Sequence, residues 1–195
     1  RQSLSDLEPS GEAELPAPLP RSHQAVLAAA LRRVRADLAA RREAGDERPA
    51  IAMPHAFVTG AQTSDSERDI QVGGVPSVSA DLFDTLGGAD PLPHGLDYVA
   101  AGHLHRPQDI SGASVPIRYA GSPIAYSFSE AGATKSITLV TTDATSVTDI
   151  EVVPIPTLRG IAVLEGTMDE LLTDPDEATT ASYVSITVTD SARPE

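Results

Sequence analysis

Cysteine is absent from the 195 residues. That excludes disulfides and every zinc site built on thiolates, and it suits a reducing compartment, so the expected location is the cytoplasm. No apolar run is long enough to span a membrane, and no secretory leader opens the chain. Cationic side chains are scarce: 14 Lys and Arg stand against 28 Asp and Glu, a formal net charge of −14. A protein that holds nucleic acid by its own surface charge carries a basic face, because phosphate contact and counterion release supply the affinity. That class is excluded here unless a bound metal or a partner protein attracts the phosphates; otherwise the acidity simply reflects solubility. An initiator methionine is missing too, and the opening RQSLSDLEPSGEAELPAPLP starts mid-phrase, so the chain reads as a fragment.

What is present is an ordinary apolar fraction, 41%, on a length that builds one sizeable domain or a domain plus part of another. Residues 1 to about 21 are rich in Pro, Glu and Ser and read as an irregular connection. Ser22 then has the character of an N-cap. Val26, Leu27, Ala30, Leu31, Val34 and Leu38 follow at helical spacing, with Arg32, Arg33 and Arg35 on the polar face. Arg41 and Arg42 suit the end of the helix dipole, and Gly45 closes the helix. Ala50–Met53 is a short β-compatible run ending at Pro54-His55. The stretch AQTSDSERDIQVGGVPSVSADLF is polar and reads mainly as loop, with a short helix near Asp81–Leu86.

Tyr98–Ala101 forms a second short apolar strand that ends in Gly102-His103-Leu104-His105. VPIRYAGSP, KSITLVTTD and VTDIEVVPI alternate in strand fashion, the last two as a hairpin around TTDATS. Helix and strand alternate first and a meander follows, which is the order of an α/β domain with a helix-covered sheet. From about Pro156 a strand, a short helix at Met168–Leu172 and a strand in ASYVSITVTD read as the opening βαβ portion of a second, small domain.

Three of the five histidines sit where α/β folds place ligands, at strand ends opening into loops: His55 after Ala50–Met53, and His103 and His105 after Tyr98–Ala101. In extended backbone, residues two apart point the same way, so His103 and His105 are expected to face one pocket, with Gly102 letting the chain turn tightly or approach a ligand. Neutral imidazole suits manganese, zinc or iron. The alternative for a His-x-His pair is a set of exposed or hydrogen-bonded loop histidines. His23, in the first helical turn, reads as solvated, and His94 as part of a turn. A two-metal hydrolytic site also needs a bridging carboxylate. The acidic residues at hand, Asp65, Glu67 and Asp69, lie in a charged loop with no ligand spacing.

Three stretches, HAFVTGAQTSDSERDIQVGGV, DYVAAGHLHRPQ and IRYAGSPIAYSFSEAGATKSITLV, together resemble the SbcD-type nuclease subunits of the calcineurin-like metallophosphoesterases, from about Ser22 to about Val188. The resemblance implies a two-sheet sandwich flanked by helices, represented by its C-terminal half over residues 1–155, followed by a truncated α+β capping domain over 156–195. It implies a site with two manganese ions, His55 and His103 on one metal and His105 on the other. It also implies a double-strand exonuclease and single-strand endonuclease acting on DNA in recombination, repair and hairpin processing. The implied partners are DNA and the ATP-using SbcC subunit, with a homodimer inside a heterotetramer.

The family's early motifs, Asp-x-His, then Gly-Asp, then Gly-Asn-His-Asp, do not occur as a series in these residues; the lone Gly45-Asp46 pair closes a helix, with neither of the other two motifs around it. The bridging Asp and the catalytic His are therefore expected upstream of Arg1, and the fragment alone is expected to be inactive. Pro54 replaces the small residue usual before the histidine. Ser64, Glu67 and Arg68 line a DNA path, contact the metal-site histidines, or belong to a solvated loop with internal ion pairs. Arg106 and Gln108 are weaker candidates for phosphate contact. Gly121-Ser122-Pro123 reads as a turn, and Tyr126 and Phe128 read as core. The rival classes are a metallophosphoesterase acting on small phosphodiesters and a non-catalytic SbcC-binding module.

Overall fold

The computed structural model describes residues 18–65, 77–173 and 176–191. It is a mixed α/β structure. Helix α1, His23–Glu43, starts where Ser22 takes extended backbone and its hydroxyl accepts the Ala25 N–H at 3.1 Å. It ends with Gly45 in the left-handed region at φ 84°. The Gly45 N–H reaches the Arg42 carbonyl and the Asp46 N–H reaches that of Arg41, each at 3.0 Å. This pair of bonds closes off orphan carbonyls of the last turn, and glycine enters that conformation without Cβ strain.

The buried residues of α1 are Leu31 and Leu38, so half of the expected apolar stripe is not inside. Val26 is 57% and Val34 45% exposed. The inward row runs Leu27, Leu31, Arg35, Leu38, Arg42 instead. Arg35 spans to the Thr85 and Asp90 carbonyls, both at 2.7 Å, and Arg42 to those of His94, Asp46 and Arg48. Guanidinium groups bound to carbonyls thus take places that hydropathy alone assigned to valine.

Strand β1, Ile51–Ala52, is followed by β2, Phe57–Val58, and β3, Ser77–Val78, which pair in parallel. Strand β3 falls in the stretch that reads mainly as loop by composition, and β2 in residues just after His55 to which no element was assigned. A two-residue strand carries no alternation to detect, and its pairing is long-range. Helix α2, Asp81–Thr85, lies where the short helix was expected. Strand β4, Tyr98–Ala101, pairs in parallel with β1 on one side and with β6, Ile117–Tyr119, on the other. The edge strand β5, Gln108–Ile110, runs antiparallel to β6, giving the order β1-β4-β6-β5.

The core lies between this sheet and α1 and α2, where Val58, Val78, Phe83, Leu86, Val99 and Tyr119 are fully buried. Val99 and Ile117 point to the interior from the middle of parallel strands covered on both faces, which is why these strands read as apolar runs rather than as alternation.

Strands β7, Ser136–Thr142, and β8, Val147–Pro154, form the expected antiparallel hairpin. Asp143 organises its turn by accepting the Thr145 and Ser146 N–H groups at 2.8 and 2.7 Å. Those hydrogen bonds to the carboxylate hold its pKa below the usual range. Strand β9, Ile161–Gly166, pairs in parallel with β10, Tyr183–Val188. Helices α3, Met168–Leu172, and α4, Glu177–Thr180, connect them, the βαβ order expected there with one additional short helix. Thr167 and Glu170 cap α3 reciprocally. Among the described residues no helix is long and apolar enough to cross a membrane.

Candidate metal centre

The carboxyl ends of β1 and β4 deliver His55 and His103. Past β1 the chain stays beside its neighbour: the Gly102 N–H donates to the Pro54 carbonyl at 2.8 Å, and the Ala56 N–H to the Gly102 carbonyl at 3.3 Å. This parallel bridge, His55 against Gly102, brings the two imidazoles together edge to face, with ring centroids 5.2 Å apart. Pro54 is compatible with the bridge because its carbonyl, not an N–H, makes the bond. A Cβ on Gly102 would stand 3.3 Å from His55 Nδ1. Glycine is therefore there to leave room for the imidazole.

The tight turn falls one residue later. His103 has φ 108°, a region where a side chain with a Cβ is strained. The extended backbone that would aim His103 and His105 the same way is interrupted at this point. Instead the His105 ring lies 5.1 Å from that of Tyr126. Among the described residues, no group of three or more His, Asp or Glu side chains is gathered closely enough to hold a metal ion. The structure thus sets the His55 ring against His103 and the His105 ring against Tyr126.

Backbone strain at a side chain suited to ligation has a measurable signature. At ordinary positions glycine is less stable than alanine by about 0.5–1 kcal/mol. At position 103 the order is expected to invert, with His103→Gly more stable than His103→Ala by about 1 kcal/mol. Urea unfolding of the two variants reads this directly, and equal or reversed stabilities would mean that the turn is unstrained.

Tyr119, which sequence reasoning passed over, fixes the segment after His55. Its fully buried hydroxyl donates to the Ala56 carbonyl at 2.6 Å and accepts the Val58 N–H at 2.9 Å. Burial pushes this phenol up to about 12, the Val58 hydrogen bond pulling slightly the other way.

A second missed group sits behind His105. Lys135 and Glu130 are buried and ion-paired. The Lys135 ammonium also donates to the His105 carbonyl at 2.9 Å and to Ser122 Oγ at 3.0 Å. Glu130 Oε1 accepts the Tyr126 and Ser127 N–H groups at 3.0 and 3.1 Å. Gly121 turns at φ 82°, and a Cβ there would come within 2.7 Å of the His105 carbonyl oxygen, so the expected turn at Gly121–Pro123 folds directly onto the His105 loop. The sequence did carry one signal of this: Ser127-Phe128-Ser129-Glu130 has capping-box spacing, and both reciprocal bonds are made.

The remaining candidates divide. Tyr126 and Phe128 are 60% and 40% exposed, not core; the capped 3₁₀ turn at Phe128–Glu130 buries Glu130 in their place. Gln108 is committed to the Gln62 backbone, donating to its carbonyl at 2.8 Å and accepting its N–H at 2.7 Å. Arg106 donates to the Ser129 carbonyl at 3.2 Å. The Asp65 N–H donates to Ser129 Oγ at 3.0 Å, and its side chain is exposed. Ser64 is half-buried, while Glu67, Arg68 and Asp69 lie outside the described residues. His23 lines the same groove as His55, with Val26, Leu27 and Ala56. His94 sits in a turn at φ 49° with its carbonyl bound by Arg42.

Comparison with known proteins gives a consistent likeness. Over 90 residues, 46% of this chain, it is 51% identical to the D subunit of the nuclease SbcCD from Bacillus subtilis (strain 168), of which it covers 21%. Over 118 residues, 60% of this chain, it is 37% identical to the protein of the same name from Escherichia coli (strain K12), of which it covers 27%. The chain thus carries an SbcD-like segment that spans about a quarter of those relatives' length. No family model matches it.

Proposed function

We infer that an SbcD-like segment bearing this histidine pair contributes part of the metal site of a nuclease, the D component of an SbcCD-type complex. The observation that carries the reading is the pairing of His55 and His103 at adjacent parallel strand ends, inside a chain similar to two proteins of that name. The donor set fits one cation: neutral imidazoles 5.2 Å apart between centroids stand within reach of a single ion about 2 Å from a nitrogen of each. His105 is assigned to a second ion. The two ions, manganese above all, would supply polarisation of a phosphodiester and a water acidic enough to ionise near neutral pH.

The chain's own residues do the holding. The Pro54–Gly102 and Ala56–Gly102 bonds keep His55 beside His103, and Tyr119 keeps the backbone beyond His55 from shifting. The rest of the proposal follows from the likeness. The described domain is the C-terminal half of a two-sheet metallophosphoesterase sandwich, and residues 156–195 begin its capping domain. The bridging Asp and catalytic His are supplied by sequence outside these residues, so the 195 residues alone are inactive. The whole protein is a cytoplasmic homodimer that works with the ATPase SbcC as a heterotetramer, cutting double-stranded DNA from its ends and single strands internally during recombination and repair. The acid surface, −14 overall, is offset by the metals and by SbcC.

The test uses the whole protein with purified SbcC, ATP and manganese on duplex DNA ends. Cleavage is expected, reduced about 100-fold or more by His103→Ala, since even outer-shell changes at metal sites cost 10–100-fold. Uncut duplex ends, with turnover of a small phosphodiester instead, would move the assignment to another metallophosphoesterase.

A further inference from the structure

We propose that Lys135 and Glu130 are positioning residues for His105, a role that rests on the metal-site reading above. The argument starts from satisfaction. The side chains of Lys135 and Glu130 are only 4% and 0% exposed, and buried charges are costly unless every donor and acceptor is used. Here they are used. The ammonium has three protons and three partners: Glu130 Oε2, Ser122 Oγ and the His105 carbonyl oxygen. The carboxylate's other oxygen takes the Tyr126 and Ser127 N–H groups.

The network has a direction. Ammonium and carboxylate bind two different backbone segments, and each segment carries one ring of the His105–Tyr126 pair. Lys135 holds the His105 backbone through its carbonyl, and the Ser122 N–H reinforces that carbonyl at 3.0 Å. Glu130 holds the Tyr126 backbone through its N–H. The ion pair thus sets the separation of the two segments, and with it the ring contact at 5.1 Å. A half-exposed imidazole on a loop has many rotamers. Fixing its backbone on one side and an aromatic neighbour on the other removes most of them, which is what a preorganised ligand needs. The His55–His103 pair is held by the sheet, through the bonds of Gly102 to Pro54 and Ala56.

The experiment is histidine-ring NMR on the whole protein with selectively labelled histidine, His105 identified by His105→Gln. Two variants are compared with the parent: Lys135→Met, and Glu130→Gln with Lys135→Met, which removes both charges and keeps the fold where the single change does not. Without metal, the His105 ring signals are expected to shift and to lose their contact with Tyr126, while those of His55 and His103 stay in place. With Mn2+ alone as probe, broadening of His105 is expected to require about 10–100-fold more metal in the double variant, as for other supporting residues of ligands. Unchanged His105 signals and unchanged Mn2+ response in the folded double variant would overturn the proposal. If Mn2+ broadens no histidine of the parent, the metal reading fails instead, and the metal-free shifts alone decide whether the pair positions His105.

Discussion

Truncating Lys135 to alanine is expected to lower the unfolding free energy by about 3–5 kcal/mol, the range for breaking one side of a buried ion pair. For a chain of this size that corresponds to a fall in Tm of roughly 6–20 °C. The cause is not the loss of attraction alone. With the ammonium gone, the Glu130 carboxylate stays fully enclosed and loses its cationic partner, keeping the Tyr126 and Ser127 N–H groups. The His105 carbonyl and Ser122 Oγ lose a donor at the same time. Replacing both partners by apolar residues of similar volume removes the stranded charge, so Glu130→Leu with Lys135→Met is expected to recover most of the loss. Urea unfolding midpoints at constant slope measure both. A loss below about 1 kcal/mol in Lys135→Ala, the size of an exposed pair, would show that water reaches this network.

Replacing Tyr119 by phenylalanine is expected to destabilise by about 1–3 kcal/mol for each of the two groups it orphans, the Ala56 carbonyl and the Val58 N–H. Both are buried, Ala56 at 8% and Val58 at 0% exposure, so water replaces the lost hydroxyl poorly. The pH dependence identifies the hydroxyl as the cause. Its folded pKa is raised from 10 to about 12, so folding favours the neutral phenol. That contribution is complete below about pH 10 and is lost as pH climbs towards about 12. The stability gap between parent and variant is therefore expected to hold steady up to about pH 10 and to close over the next two units. A gap that stays constant through that window would mean that the hydroxyl is not buried as described. The same change frees the backbone just beyond His55, so weaker binding of Mn2+ by the His55–His103 pair should accompany it.

The chain's local signals were readable where one segment decides its own structure. Ser22 and Gly45 bound α1 as their chemistry requires, the hairpin turns at Asp143–Ser146, and Met168–Leu172 is helical behind its Thr167 cap. Histidines at strand ends were legible for the same reason. The illegible parts are those that depend on partners far away. Phe57–Val58 is a strand only because Ser77–Val78 lies against it. Tyr119 matters only because Ala56 and Val58 come under its hydroxyl. Arg35 looks like a solvent-facing residue until the carbonyls of residues 85 and 90 are placed over it. Lys135 carries no local mark of burial, although the Ser127–Glu130 spacing marks one end of its network. In the histidine motif, alternation presumes extended backbone, and His103 leaves it at φ 108°.

The parallel bridge between His55 and Gly102 also bears on the order in which the molecule folds. Its two sides lie far apart in sequence, and the Tyr119 bond that secures it closes a loop of 63 residues. Contacts of that separation form late, after the entropy of loop closure has been overcome. Helix α1, whose caps are local, needs no such closure. A growing or partly unfolded chain therefore acquires helix long before the two imidazoles meet, and chemistry that depends on their meeting is withheld until the sheet is complete.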